Sequence, residues 1–417
     1  MIEKYMLALG YNDNQINKII NEYGLRLYKE ESIYKKVLEF HNHYKELGFN
    51  DEETIKIISR NPSMLGHSLD NIKIKNKEIM GLGFTQDELV KLINGNPCIY
   101  NFSTLYIKNR IDDIVSLGFS KKKSIRIINF NPTIIGISIE TLNRRIIELK
   151  ELGYTYGEII KMIDKYPKLI MLSTKTIKQK INSLIELGYT YDDIIKMTKE
   201  LPQITGITID TIKKKINDMV KLGYNYSSVI KMTKGFTHFF SYGVDNIKEK
   251  NIELEKLGYS KEQIIKMTQT HPAIYSYNID NIKQKLSDLI NLSFTYEEVI
   301  SMTVSLPSLF GFSLDNIRMK KEFYDMVGLT EIMVIDPKQI IQSVEISYAK
   351  YSYFKELGID INMKNYKILF MPQKQFIAKY GINFNELKEI YNYNEFINKN
   401  INDKINILKK NIKPKKD

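Results

Sequence analysis

The chain has 417 residues, of which 43% are hydrophobic and 26% are charged, a composition typical of a folded protein. It contains no run of roughly eighteen apolar residues, which excludes a transmembrane helix, and its single cysteine, Cys98, excludes an internal disulfide. A net charge of +12, from 61 basic and 49 acidic residues, favours nucleic acid or another anionic surface as a partner.

A short unit repeats along the chain with a period of 35 residues. Each copy begins with a glycine, and in almost every copy a proline follows fourteen residues later. We name the copies R1 to R9 by their first residues, which are Gly48, Gly83, Gly118, Gly153, Gly188, Gly223, Gly258, Ser293 and Gly328. The prolines are Pro62, Pro97, Pro132, Pro167, Pro202, Pro272 and Pro307, with Thr237 at the remaining position. This period predicts an elongated solenoid of stacked units, whose long surface favours binding over catalysis.

The two ends of the array depart from the pattern, as capping repeats do. Residues 1–47 are predicted to form a degenerate N-terminal capping repeat, which Gly10 opens without a following proline. The array itself covers 48–357, although R9 is five residues short. Residues 358–417 are predicted to form a C-terminal capping region that ends in a disordered basic tail at 409–416.

R4 illustrates the predicted helices of one copy. Thr155 with Glu158 forms a capping box, and the apolar residues that follow at helical spacing predict a short helix A. Pro167 ends helix A, because proline disfavours helix at the preceding residue. Ser173 caps a helix B, which Gly188 closes. The predicted caps of helix A in R1 to R8 are Asn50, Thr85, Ser120, Thr155, Thr190, Asn225, Ser260 and Thr295, and those of helix B are Ser68, Ser103, Ser138, Ser173, Thr208, Gly243, Asn278 and Ser313.

Neither helix is long enough to be stable alone, so adjacent copies must pack together in an all-α helical-repeat solenoid. The junction into R5 reads Leu187-Gly-Tyr-Thr-Tyr-Asp-Asp-Ile-Ile-Lys-Met, and the second half of R5 opens Leu201-Pro202-Gln-Ile-Thr-Gly-Ile-Thr-Ile-Asp-Thr-Ile. Both segments resemble the repeat of the mitochondrial transcription termination factor family, the mTERF proteins. The matching features are Leu-Gly-aromatic-Ser/Thr, the proline with apolar residues after it, and the Ser/Thr-x-acid-x-Leu/Ile opening of helix B. They recur at least eight times over roughly residues 48 to 357.

The resemblance implies two α-helices and a short 3-10 turn in each of about nine units. It further implies that the units curl into a crescent-shaped superhelix with a basic groove that binds duplex DNA or sometimes RNA. The roles implied for the family lie in organellar gene expression, such as transcription termination or initiation, or RNA processing.

Three positions of the copy are basic almost throughout, and each forms a column along the array. The first column, on helix A opposite its apolar stripe, is Lys56, Lys91, Arg126, Lys161, Lys196, Lys231 and Lys266. The second column, on helix B, is Lys73, Lys108, Lys178, Lys213, Lys248, Lys283 and Arg318. The third column, two residues further along helix B, is Lys75, Arg110, Arg145, Lys180, Lys215, Lys250, Lys285 and Lys320. Because the second and third columns lie about 200° apart on the helix, they cannot both face one ligand.

A fixed basic residue in each copy suits a phosphate backbone, which such a column grips without reading sequence. The third column is the preferred nucleic-acid-binding candidate and the first column is next. The second column is interpreted mainly as a solvent-exposed face, since acids three residues earlier lie within pairing distance.

Two variable columns are candidates for reading sequence, although an unconstrained solvent face is the favoured interpretation of both. One lies three residues before the proline and comprises Ser59, Asn94, Asn129, Asp164, Lys199, Lys234, Gln269 and Val304. The other lies between the basic columns of helix B and comprises Ile74, Asn109, Arg144, Gln179, Lys214, Glu249, Gln284 and Met319.

The aromatic residue after each glycine is interpreted as packing between units rather than stacking on bases. The five histidines are scattered, and only His41 and His43 are close, so no metal site is predicted. Cys98 is interpreted as a small core residue. The chain has no glycine-rich phosphate loop and no nucleophile elbow, so we expect a protein that is not an enzyme and needs no cofactor.

The leading hypothesis is a monomer that binds double-stranded DNA and regulates transcription by blocking or recruiting the transcription machinery. An RNA-binding repeat protein is the nearest alternative. A one-base-per-repeat reader like the transcription-activator-like effectors ranks lower, because those repeats carry a glycine-rich loop where this chain has proline and apolar residues. A protein-binding scaffold is the alternative from a different class. No membrane partner is expected, and the predicted location is cytoplasmic, or organellar by the family resemblance.

Overall fold

A computed structural model describes residues 2–24 and 30–398 of the chain. The described residues form helices and turns, with no β-strand among them. They divide into two compact units, with the boundary between Ile212 and Lys213 inside helix B of R5. The predicted basic tail at 409–416 lies outside the described residues. No helix in the described ranges combines the length and the apolar character that crossing a membrane requires.

Every copy from R1 to R8 has the same three elements, as predicted. Helix A has ten residues and spans Asp51–Arg60, Gln86–Gly95, Lys121–Phe130, Tyr156–Lys165, Tyr191–Glu200, Tyr226–Gly235, Lys261–Thr270 and Tyr296–Ser305. A five-residue 3-10 turn spans Pro62–Gly66, Pro97–Asn101, Pro132–Gly136, Pro167–Met171, Pro202–Gly206, Thr237–Ser241, Pro272–Ser276 and Pro307–Gly311. Helix B has thirteen residues and spans Leu69–Gly81, Thr104–Ser116, Ile139–Glu151, Thr174–Glu186, Ile209–Lys221, Val244–Lys256, Ile279–Asn291 and Leu314–Met326.

The ends of the array depart from this plan in ways that the sequence indicates. Before R1 lie helices at Ile2–Ala8, Asp13–Ile19 and Glu30–Leu47, and a π-helical turn at Ile20–Gly24 takes the place of the 3-10 turn. In R9 the five missing residues shorten helix A to Ile332–Ile335, whereas the turn Pro337–Ile341 and helix B at Val344–Glu356 keep their usual lengths. A last turn at Tyr366–Phe370 and helices at Gln373–Tyr380, Phe384–Ile390 and 393–398 follow.

The predicted caps are confirmed. The helix A caps of R1 to R8 all accept a hydrogen bond from the third backbone amide of their helix. Among the helix B caps, Gly243 makes no side-chain bond, because it has no side chain. The residue that closes helix B adopts a left-handed conformation, with φ near +100° for Gly188 and Gly223. Ser293 adopts it too, with φ of +73°, at a steric cost that glycine avoids.

The aromatic residue after the closing glycine is buried in all eight copies, which confirms its interpretation as a packing residue. In R4, R6 and R7 it is a tyrosine whose hydroxyl bonds a threonine of the next copy, as Tyr154 does to Thr198 at 2.6 Å. In R1, R2 and R3 it is a phenylalanine, and the equivalent residue of the next copy is a buried isoleucine. Phe pairs with Ile and Tyr with Thr, so neither arrangement leaves a buried hydroxyl without a partner.

A second matched pair joins helix B of one copy to the 3-10 turn of the next. Asn76 accepts a hydrogen bond from the hydroxyl of Tyr100 at 2.9 Å, and Asn251 accepts one from Tyr275 at 3.2 Å. Burial raises the pKa of Tyr100, so its hydroxyl stays a proton donor. Cys98, which we expected in the core, is exposed in the turn of R2, because its neighbours Ile99 and Tyr100 fill the buried side.

Candidate nucleic-acid interface

The third basic column lies against the protein's own backbone. Seven of its eight members donate hydrogen bonds to carbonyl oxygens at the end of the 3-10 turn of the next copy. Lys75 bonds the carbonyl oxygens of Tyr100, at 2.8 Å, and Phe102. Lys215 likewise bonds those of Phe240 and Tyr242, the latter at 2.6 Å. Each ammonium group therefore joins its helix B to the turn of its neighbour.

The two arginines of this column are also occupied. Arg110 is 6% exposed, donates to the carbonyl oxygen of Ile135 at 3.3 Å and forms an ion pair with Asp113 at 2.8 Å. Arg145 is the member without a bond to the next turn, and its guanidinium contacts Glu148 at 3.4 Å. Each arginine of the third column thus pairs with an acid three residues later on its own helix.

Burial also changes the proton affinity of five lysines in the third column. It lowers the pKa of Lys75, Lys180, Lys215, Lys250 and Lys320, because transfer out of water disfavours the charged form. Lys320 is only 3% exposed. These contacts give the column a structural role and weigh against contact with phosphate. Nucleic-acid binding by the third column stays a prediction, and the geometry disfavours it. The residues concerned are Lys75, Arg110, Arg145, Lys180, Lys215, Lys250, Lys285 and Lys320.

Sequence reasoning missed a ninth member of this column, Lys350 in helix B of R9. It is fully buried and donates to the carbonyl oxygens of Leu369 at 2.9 Å and Met371 at 2.7 Å. Its ammonium also lies 4.2 Å from the ring centroid of Phe384. Burial lowers the pKa of Lys350 to about 8. The deletion in R9 moved this lysine out of the 35-residue register, but its spacing from Pro337 equals that of Lys320 from Pro307 and could have revealed it.

The first column has the opposite environment. All seven members, Lys56, Lys91, Arg126, Lys161, Lys196, Lys231 and Lys266, are exposed on helix A. Arg126 pairs with Asp164 and also donates to its backbone carbonyl oxygen at 2.7 Å. In the described part of the chain, none of the six lysines forms an ion pair. This column therefore presents one uncommitted ammonium in nearly every copy.

The second column behaves as a solvent-exposed face. Lys248, Lys283 and Arg318 lie 3.5, 3.8 and 2.7 Å from acids three residues earlier on the same helix. Such exposed pairs contribute little to stability. They nevertheless offset the charge that a ligand would meet on this side of helix B.

The variable column before the proline contacts the preceding copy. Lys199 pairs with Glu158 at 2.9 Å, and Asn94 donates to Glu53 at 3.3 Å. Where the preceding copy carries Lys123 instead of an acid, the column carries Asp164, and the two groups are 2.7 Å apart. At Asn94, Asp164 and Lys199 the residue thus matches its partner in the preceding copy, so packing accounts for these three without base reading. The other variable column is largely exposed, with Ile74 55% and Met319 39% accessible.

His41 and His43, which are close in the sequence, lie in the helix before R1 and contact residues of R1. His41 is buried and its Nε2 lies 3.0 Å from a carboxylate oxygen of Asp51, while His43 lies 3.5 Å from the amide nitrogen of Asn76. Burial lowers the pKa of His43. Over residues 2–24 and 30–398, no group of three or more histidine, cysteine or acidic residues is placed to hold a metal ion.

The repeat geometry agrees with a comparison to protein families. The family model described as mTERF matches residues 4–148 and 218–345, which together make up well over half of the chain. The chain belongs to the mTERF family. Members of this family are nucleic-acid-binding helical-repeat proteins with organellar associations. The mTERF match begins at residue 4 and thus includes the degenerate N-terminal copy. A search of curated proteins found no match to the chain.

Proposed function

We propose that this mTERF protein binds double-stranded DNA through the exposed face of helix A and thereby regulates transcription at termination or initiation. The observation that carries the proposal is the first column, an exposed basic side chain in each of R1 to R7, of which the six lysines form no ion pair within the described residues. An exposed lysine keeps its full charge and its mobility, which suits contact with a phosphate backbone.

The strongest part of this face is centred on R3 and R4. In R1, R2 and R5 an acid stands one helical turn before the first-column lysine, at Glu52, Asp87 and Asp192. In R3 the equivalent residue is Lys122 and in R4 it is Gly157. Helix A of R3 also begins with three consecutive lysines and has no acid in its first turn. Asp164 pairs with Lys123 and Arg126, so Lys122 and Lys161 carry the charge here that no acid of the described residues pairs with.

The proposed contact is mainly with the DNA backbone. The first column has one chemical type throughout, and such a column cannot distinguish bases. Three of the variable residues before the proline, Asn94, Asp164 and Lys199, are occupied by contacts between copies. We therefore expect affinity that depends steeply on salt and modestly on sequence.

Fluorescence anisotropy with random-sequence duplex DNA, single-stranded DNA and RNA, each titrated from low to physiological salt, tests the proposal. Tightest binding to the duplex, with log affinity falling steeply against log salt, would support it. Tighter binding to RNA would move the assignment to the RNA-binding alternative. Absence of binding at low salt would leave the protein-binding scaffold as the better interpretation.

A pair of matched triple variants tests which residues bind. Lys122→Gln, Arg126→Gln and Lys161→Gln together should flatten the salt slope by about 3 and weaken binding to all sequences, because each lost phosphate contact releases about 0.9 fewer counterions. The control is Lys56→Gln, Lys91→Gln and Lys196→Gln, which removes the same charge from copies with a neighbouring acid. If both triple variants have the same effect, DNA contacts the whole first column evenly. If neither has an effect, helix A is not part of the interface.

A further inference from the structure

The fourth residue of the copy is a tyrosine in R4, R5, R6 and R8. In R4 and R8 this tyrosine comes within 4.0 Å of where a Cβ would stand on the glycine that closes an earlier helix B, Gly118 and Gly258 respectively. The hydroxyl of Tyr156 donates to the carbonyl oxygen of Leu117 at 3.0 Å, and that of Tyr191 donates to Leu152 at 2.9 Å. The hydroxyl of Tyr296 donates to Leu257 at 2.5 Å. In these three copies the tyrosine hydroxyl thus supplies a donor to the carbonyl end of a helix.

R7 carries Lys261 at this position and leaves a crevice open. A cavity of about 380 Å³ lies there, lined by Leu222, Ile252 and Ile265 as well as by Lys261. This volume is within the range of ligand pockets, about 300 to 1,000 Å³. A side chain added at Gly223 would meet only Ile265 within 4 Å, so Lys261 does not lie over this glycine.

R3 also has a lysine at this position, and the comparison shows that the residue type alone does not open the cavity. The Cε atom of Lys121 lies 3.8 Å from where a Cβ on Gly83 would stand, so its aliphatic stem lies over that glycine. In R7 the corresponding stem is directed elsewhere, and Ile252 on the cavity wall is 50% exposed. R7 therefore has an unfilled apolar recess in the place of a tyrosine ring.

The rim of the recess is basic. Lys221, Lys248 and Lys261 line it, against a single acid, Glu255. Lys221 and Lys248 each contact an acid of their own helix, at 3.4 and 3.5 Å. Both lysines are exposed, so an incoming carboxylate can compete with these acids. An apolar floor with a carbonyl acceptor and a positively charged rim is complementary to an aromatic ring that carries a donor and is flanked by acids.

We propose that the R7 recess is a docking site for a partner protein that inserts a tyrosine ring flanked by acidic residues. The inserted ring takes the place that Tyr156, Tyr191 and Tyr296 occupy in other copies, and its hydroxyl donates to the carbonyl oxygen of Leu222. The flanking carboxylates pair with Lys221, Lys248 and Lys261. Complementary charge together with a buried aromatic anchor is the usual basis of such recognition.

The recess and the first column face different directions. Lys261 and Lys266 are five residues apart on one helix, which separates their side chains by about 140° around its axis. A partner in the recess therefore leaves Lys266 free for nucleic acid. The docking site does not depend on the DNA-binding proposal, and either can fail without the other.

The test is fluorescence anisotropy of a labelled acidic peptide with one central tyrosine, titrated with the full-length protein. We expect saturable binding that weakens at least about tenfold when the peptide tyrosine becomes alanine. Lys261→Tyr should weaken binding to the same extent, because it fills the recess with the residue that other copies carry there. The matched control, Lys121→Tyr in R3, should leave affinity unchanged within about twofold.

Three outcomes would overturn the proposal. These are no saturable binding of the peptide, equal binding of the alanine peptide, and equal binding by the Lys261→Tyr variant. If a mononucleotide or single-stranded DNA binds instead, and Lys261→Tyr abolishes that binding, the occupant is a nucleotide and the partner-protein proposal is wrong. Circular dichroism of both tyrosine variants checks that they fold, which we expect because four copies already carry this tyrosine.

Discussion

The first and third basic columns look alike in the sequence and differ in the structure. Both place one lysine or arginine in nearly every copy, at fixed positions of helices that repeat every 35 residues. The third column is directed into carbonyl groups of the next copy, whereas the first column ends in solvent. A periodic charge therefore identifies a repeated environment, and only the acceptors around it distinguish a structural lysine from one available to a ligand.

The two columns differ because helix B lies beside backbone acceptors of the next copy, whereas the middle of helix A largely does not. The 3-10 turn ends in carbonyl oxygens that no following helical turn satisfies, and burial without a partner would be costly. A long side chain from the preceding helix B reaches these oxygens and carries enough donors for two of them. Most backbone bonds beside the middle of helix A are already made within the helix, and Arg126 is the first-column member that reaches such an oxygen in the described residues, that of Asp164.

Lys350→Met tests the structural role where burial is complete and should have the largest effect. Methionine keeps most of the side-chain volume but leaves the carbonyl oxygens of Leu369 and Met371 without donors. We expect a loss of about 3 kcal/mol in the free energy of unfolding. Urea denaturation followed by circular dichroism measures it, with Lys355→Met, exposed on the same helix, as the control. Equal midpoints for the two variants would contradict the structural role.

A direct comparison of the first and third columns uses Lys215→Met and Lys231→Met, which both lie in the second of the two compact units. The first should cost about 1 to 2 kcal/mol of stability, because it removes donors from two carbonyl oxygens. The second should change stability by less than about 0.5 kcal/mol, as exposed substitutions do. Binding to duplex DNA should show the reverse order. A stable Lys215→Met protein with weakened DNA binding would restore the third column as the interface.

The smallest expected effect concerns the uncharged contacts between copies. Thr303→Val leaves the buried hydroxyl of Tyr259 without the partner it has at 2.7 Å, at a cost of about 1 kcal/mol. Adding Tyr259→Phe should recover most of that loss, because the double variant reproduces the apolar pairing of Phe119 with Ile163. Thermal denaturation of the single and double variants measures the coupling. Additive losses would mean that the pairing does not matter.

Sequence reasoning predicted the fold in detail because its signals are local. A cap such as Thr155, the proline at 167 and the glycine at 188 each act within a few residues of their own position. The direction of Lys180 or Lys215 depends on a turn about 25 residues away in the next copy. A helical wheel gives the angle of such a side chain around its own helix but not the element that it meets.

Some of these contacts between copies were nevertheless readable in the sequence. Asp164 follows Lys123 at the same 41-residue separation at which Lys199 follows Glu158. Where the first residue of the pair is basic instead of acidic, the second is therefore acidic instead of basic. The open recess at Lys261 was not readable, because Lys121 has the same residue type and covers its glycine. A column shows which residue type the copies share. The recess depends instead on the orientation of the Lys261 side chain, which differs from that of Lys121.

The matched aromatic pairs restrict how the number of copies can change during evolution. R1 to R3 carry phenylalanine after the closing glycine, and R4 to R7 carry tyrosine. Unequal recombination that removed R3 would bring Phe84 opposite Ile163, and removal of R6 would bring Tyr189 opposite Thr268, so both junctions stay matched by residue type. Loss of R4 would instead set Phe119 against Thr198. Loss of a copy inside a block therefore keeps the pairs matched, whereas loss of R4 at the border would remove the tyrosine partner that the hydroxyl of Thr198 has.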